Sequence, residues 1–190
     1  MTLTAYYAAY KSLLGGLAAA VTVSPLVSMI PLHADPYIFP PLGEIDMVSR
    51  VITVAAILLA TFVVLYLNPR DQIRAIIIST LLFLGCAICY AICFSLFVRT
   101  ISIPAKDTSV SFSIGMRRTE FAKKQFPDNT DQEILRYRGL SEEEVQRCWT
   151  PASLLAARLL LWLSCTFSLV FLVASFGFGI LASNENTSSP

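Results

Sequence analysis

Cys86-Ala-Ile-Cys89, followed by Cys93, is the arrangement in this 190-residue chain whose residue types and spacing could do bond-making chemistry. A C-x-x-C pair can cycle between dithiol and disulfide. Relaying electrons across a membrane needs a second cysteine pair in a loop, and outside the apolar runs there is only Cys148. Ser79, Cys86, Cys89 and Cys93 also fall at helical spacing. A stripe of small residues packed against a neighbouring helix is therefore the favoured reading, and reduced thiols are expected. His33 is the single histidine, so neither a His-rich metal site nor a Ser-His-Asp triad has its parts. There is no Gly-rich phosphate loop, no G-x-S-x-G and no H-E-x-x-H. No catalytic residue, metal or cofactor is expected.

Charge is the second resource. Only 14% of residues are charged and 55% are hydrophobic, against about 25% charged in ordinary globular proteins. The charges gather in one polar insert, residues 100–150, and split within it. From Arg99 to Lys124 there are six basic residues against Asp107 and Glu120; from Gln125 to Trp149 there are three against six acidic. Arg117-Arg118 and Lys123-Lys124 form basic pairs around Phe121, and Glu142, Glu143 and Glu144 form an acidic run. These seven charged residues are the candidate docking surface for an anionic partner, a lipid surface or another copy of the chain. Stacking aromatics are sparse and carboxylates lie close by, so nucleic acid is not expected.

The elements that position these groups read as membrane spans around the insert. Four apolar runs stand out: about Ser12 to Leu32, Val51 to Leu67, Ala75 to Val98 and Leu159 to Ala182. Each approaches the roughly 20 residues that a spanning helix needs. Gly15 with Ala19, Gly16 with Ala20, and Ser175 with Gly179 repeat a small-xxx-small spacing that lets helix backbones approach closely. Asn68-Pro69 ends the second run. The insert opens on two alternating stretches, Thr100-Ile-Ser-Ile103 and Ser109 to Ile114, which predict a β-hairpin. Thr130-Asp-Gln-Glu133 and Ser141-Glu-Glu-Glu144 are capping boxes, with Gly139 a helix stop between them. Thr150-Pro151 predicts an N-cap followed by proline at the first helical position. Trp149, Arg158 and Trp162 are expected at the membrane interface, as aromatic and arginine anchors.

The expected fold is thus an α-helical membrane protein: three transmembrane helices in residues 1–99, a small α+β insert in 100–150, and a fourth transmembrane helix with a short tail in 151–190. No cleavable signal peptide is expected. Eleven Lys and Arg fall on the side of the first loop and insert, against Lys11, Arg70 and Arg74 on the other. That asymmetry predicts a cytoplasmic insert, although the short second loop argues the other way. The apolar runs lack Asp, Glu and Lys, which argues against a carrier or proton pump.

In size and layout the chain resembles the small four-span membrane subunits of bacterial anti-phage systems, the Kiwa membrane subunit among them. The resemblance carries over no residue role. It implies a sensor or scaffold in a bacterial inner membrane, part of a homo-oligomer that signals to a soluble partner. The rival readings are a pore-forming effector and a membrane thiol oxidoreductase using Cys86 and Cys89.

Overall fold

The computed structural model of the chain describes residues 41–67, 72–103, 108–138 and 141–187. A 3-10 turn at Gly43–Ile45 precedes α1 (Asp46–Leu67), α2 (Gln72–Phe97), β1 (Val98–Ile103) and β2 (Thr108–Ser113). Then come α3 (Glu120–Gln125), α4 (Asp131–Arg138), α5 (Glu142–Cys148) and α6 (Pro151–Thr187). Three helical stretches are long and apolar enough to cross a membrane: Asp46–Val64, Ile73–Phe97 and Pro151–Gly179. They coincide with the second, third and fourth expected spans and are compatible with an integral membrane protein. The first expected span, with Gly15, Gly16, Ala19 and Ala20, lies outside the described residues, as do His33, Asn68-Pro69 and Gly139. Helix α1 starts at Asp46 rather than Val51, with Asp46 in the first turn where a carboxylate complements the helix dipole. Helix α6 starts at Pro151, as the Thr150-Pro151 pair predicts.

The chain divides into two compact units. The first takes Met47–Ile88 and the part of α6 from Ser164 onward. In α1, Ser49, Thr53, Ile57, Thr61 and Val64 are all buried, a row that spacings of four and three align on one helix face. Thr53 Oγ1 lies 2.9 Å from Thr166 Oγ1 of α6, and Thr80 Oγ1 of α2 lies 2.7 Å from Ser175 Oγ. The hydroxyls of Thr61 and Ser79 donate back to Ile57 O (2.9 Å) and Ala75 O (2.8 Å), which satisfies them in apolar surroundings. The two interhelical bonds, Thr53 with Thr166 and Thr80 with Ser175, contribute about 0.6 kcal/mol each. Helix α2 leaves Ile73, Ile77, Ile78, Leu81, Leu82, Leu84 and Ile88 exposed, the surface that lipid would cover.

The second unit comprises Pro40–Asp46 and Cys89–Leu163. Its two strands are antiparallel, with Arg99 opposite Phe112 and Ile101 opposite Val110. Arg99 Nη1 donates to Ser95 O at 2.7 Å and caps the last turn of α2 as the strand begins. The hairpin packs against α4, and α5 lies between α3 and α4. The core is Ile101, Ile114, Ala122, Ile134, Leu135, Val145, Cys148, Trp149 and Leu154, with Phe112 and Phe126 against its edge. The unit is therefore wider than the expected 100–150 insert. Leu154, Ala157 and Leu161, from the first turns of α6, are buried within it. A hairpin alone is marginal in water, and here α4, α5 and the first turns of α6 together close its core.

A cationic face on the insert

The basic residues are placed by a short stitched segment after the hairpin. Ile114 N–H donates to Phe97 O at 2.7 Å, which closes the hairpin onto the end of α2. Arg118 then pairs with Trp149 in an isolated antiparallel bridge, flanked by Thr119 N–H to Cys148 O and Thr150 N–H to Arg117 O, both 2.9 Å. Arg117 N–H donates to Ser153 Oγ at 3.2 Å. Gly115 permits this closeness: a Cβ there would strike Ser153 Oγ and stand 3.0 Å from Leu154 N and 3.1 Å from Trp149 Cβ. Thr119 caps α3, accepting from Ala122 N–H at 3.2 Å and donating to Arg147 O at 2.7 Å. The exposed residues Met116, Arg117, Phe121, Lys123 and Lys124 follow from this scaffold. A cleft of about 560 Å³ is lined by Met116, Arg117, Arg118, Glu120, Lys123 and Thr150.

The seven expected docking charges divide into internal and external groups. Arg118 is internal. Its Nε and Nη2 donate to Asp131 Oδ1 at 3.1 and 2.8 Å, and Nη2 also reaches Asn129 O at 2.9 Å, so it ties the loop before α4 to the core. Glu142 is internal too, taking an ion pair from Arg158 Nη2. Lys123 pairs with Glu120 at 2.9 Å on the surface, and Glu144 with Arg147 at 3.1 Å. Arg117 and Lys124 are exposed and have no ion-pair partner among the described residues, and Glu143 is exposed.

Two expected interface anchors are corrected. Trp149 is 1% exposed and sits in the insert core, so it is no member of an aromatic belt. The Arg158 side chain is 7% exposed, and its Nε donates to Ser113 Oγ at 2.9 Å besides the pair with Glu142. It cannot snorkel because two polar groups of the insert already satisfy it. Its guanidinium lies against Gly43, which has φ +62°; a Cβ there would come within 2.7 Å of Arg158 Nη1. Arg158 thus joins the turn before α1, the end of β2, the start of α5 and α6. Trp162 is half-buried.

The helix-packing residues also divide. Cys93 is buried, Cys86 half-buried and Cys89 exposed. All five cysteines are free thiols, and among the described residues no cluster of His, Cys, Asp and Glu could hold a metal. Ser175 makes its bond to Thr80, whereas a Cβ at Gly179 would meet nothing within 4 Å. Sequence reasoning missed the buried row on α1, although Ser49, Thr53, Ile57 and Thr61 carry its four-residue spacing openly. It also missed Thr119 before Glu120, a plain N-cap pair ahead of a helix only six residues long.

Both capping boxes fold, in different degrees. At α4 the exchange is reciprocal: Thr130 N–H donates to Glu133 Oε2 at 2.7 Å and Glu133 N–H to Thr130 Oγ1 at 3.3 Å. The backbone bond from Thr130, then its hydroxyl, hold the Glu133 carboxyl below the usual glutamate range. At α5 Ser141 accepts from Glu144 N–H at 3.4 Å, while Glu144 Oε1 turns to Arg147.

Comparison with known proteins finds no matching family model, no matching curated protein and no matching solved structure.

Proposed function

We propose that the chain is a membrane-embedded, non-enzymatic subunit of a homo-oligomer. Its insert senses or scaffolds on the cytoplasmic face of a bacterial inner membrane and passes a signal to a soluble partner. The observation that carries this reading is the shared wall between insert and span. Ile101, Ile134, Val145 and Trp149 close on Leu154 of α6, and Arg158 pins the same helix to Ser113 and Glu142. A partner that shifts the insert must therefore shift, or be resisted by, a helix long and apolar enough to cross a membrane. The likeness in size and layout to anti-phage membrane subunits supports a defence role.

Native mass measurement of the full chain in nanodiscs should give a single closed oligomer, and a monomer would sink the homo-oligomeric reading. Reversing Arg117, Lys123 and Lys124 to Glu should weaken an oligomer held in register by complementary charge, and Arg118 and Glu142 are left unchanged because their internal pairs hold the insert together. Topology is read with a cysteine introduced at exposed Asp128, since Cys148 is buried. An impermeant thiol reagent should leave Asp128→Cys unlabelled in intact cells and label it after lysis. Steady ion flux through the protein in liposomes would favour the pore reading instead. Loss of activity on Cys86→Ser with intact assembly would favour redox chemistry.

A further inference from the structure

We infer that the face formed by Met116, Arg117, Phe121, Lys123 and Lys124 seats on anionic phospholipid head groups at the membrane where α6 enters it. This rests on the membrane reading above and assigns a ligand to a surface which that reading leaves open. The first support is position. Thr150 N–H on Arg117 O and Arg117 N–H on Ser153 Oγ fix the cationic segment to the first turn of α6. The continuous apolar run of that helix begins at Leu159, about 12 Å further along at 1.5 Å per residue. The head-group layer extends about 5–8 Å beyond the hydrocarbon on each side. Arginine and lysine stems cover the remaining gap while keeping their charges in the polar layer.

The second support is composition. Met116 and Phe121 are exposed large apolar residues beside the cations. That mixture suits an interface with charged phosphates above and acyl chains below. Phe121 and Lys124, three residues apart on α3, share a face. The third support is electrostatic. Arg118 is neutralised by Asp131 and Lys123 by Glu120, whereas Arg117 and Lys124 have no ion-pair partner among the described residues. The Lys123 pair is solvent-exposed and gives way readily to a phosphate. Nucleic acid would need several stacking platforms, and the face offers only Phe121.

The test uses the full chain in nanodiscs of phosphatidylcholine alone or with a minor share of phosphatidylglycerol, counting retained lipids by native mass spectrometry. The wild type should retain phosphatidylglycerol in preference. The triple variant Arg117→Gln, Lys123→Gln, Lys124→Gln should lose that preference by about fivefold per charge removed at low salt. The preference should fade as salt rises. The charge-preserving variant Arg117→Lys, Lys123→Arg, Lys124→Arg should keep it, with Trp149 emission in a Trp162→Phe background reporting an intact core in all three proteins. Equal retention of both lipids by the wild type overturns the inference, as does undiminished preference in the Gln variant or loss in the charge-preserving one. Inorganic phosphate that competes away the retained lipid at millimolar level would reassign the face to a free anion. A chain that fails to insert into the bilayer would overturn the membrane reading itself, an outcome distinct from insertion without lipid preference.

Discussion

Arg158 shows how a single side chain can change role between sequence and fold. An arginine between two tryptophans at the mouth of an apolar run has the look of a snorkelling anchor, yet here it is spent on Ser113 and Glu142. Removing one partner of a fully buried pair costs about 3–5 kcal/mol. Glu142 keeps 30% of its side chain exposed, so water recovers part of that loss. Arg158→Met should therefore destabilise the insert by about 2 kcal/mol, and Arg158→Met with Glu142→Gln should lie within about 1 kcal/mol of the wild type. Thermal unfolding followed by Trp149 emission, in a Trp162→Phe background, measures both. Equal losses in the single and double variants would mean that packing on Gly43 matters more than the ion pair. Glu133 gives a pH prediction. Its carboxyl titrates lower in the folded chain than in the unfolded one. Its contribution is then complete above the ordinary glutamate value of about 4.3 and drains away as the pH falls through its folded value. The protection of the α4 amides, measured as the ratio of intrinsic to observed exchange rate, should fall below about pH 4.3 in the wild type. Glu133→Gln should show weaker protection at pH 7 and no such acid step.

Two glycines give separate tests of packing within the chain and of the proposed packing between copies. Gly115→Ala forces a methyl into Leu154 N and Trp149 Cβ, both backbone-anchored, and should cost about 1–3 kcal/mol with loosening of the bridge between Arg118 and Trp149. Gly179→Ala meets open space and should leave monomer stability unchanged or slightly improved. If Gly179→Ala nevertheless lowers subunit number in nanodiscs, Gly179 faces a neighbouring copy; if it does not, the small-xxx-small pair with Ser175 is incidental to assembly. The elements themselves were largely legible. Alternation marked the hairpin, Thr130 and Ser141 marked α4 and α5, and Thr150-Pro151 marked α6, because each rests on local backbone chemistry. What stayed hidden depends on distant partners. Nothing near Arg118 announces Asp131, and nothing near Trp149 shows that its ring fills a core rather than an interface. The cationic face was half legible: the basic residues could be counted, but not which of them the fold had already paired.

At the scale of the molecule, one constraint follows from the span of the Arg158 contacts. Ser113 and Arg158 are 45 residues apart, and the core that starts at Ile101 is completed only by Trp149 and Leu154. During synthesis at about 5–20 residues per second, the hairpin waits about 2–9 s for that arginine to be added. Nascent chains halted soon after Glu142 should therefore carry an insert that protease cuts freely, and chains halted well past Arg158 should resist it. Protection at the earlier halt would mean that the hairpin and α3–α5 close without α6. Until α6 emerges, the core around Ile101, Ile114 and Trp149 lacks Leu154. A frameshift or stop within this window therefore leaves more than a shorter protein: it leaves a stub whose core is unfinished, for quality control to clear.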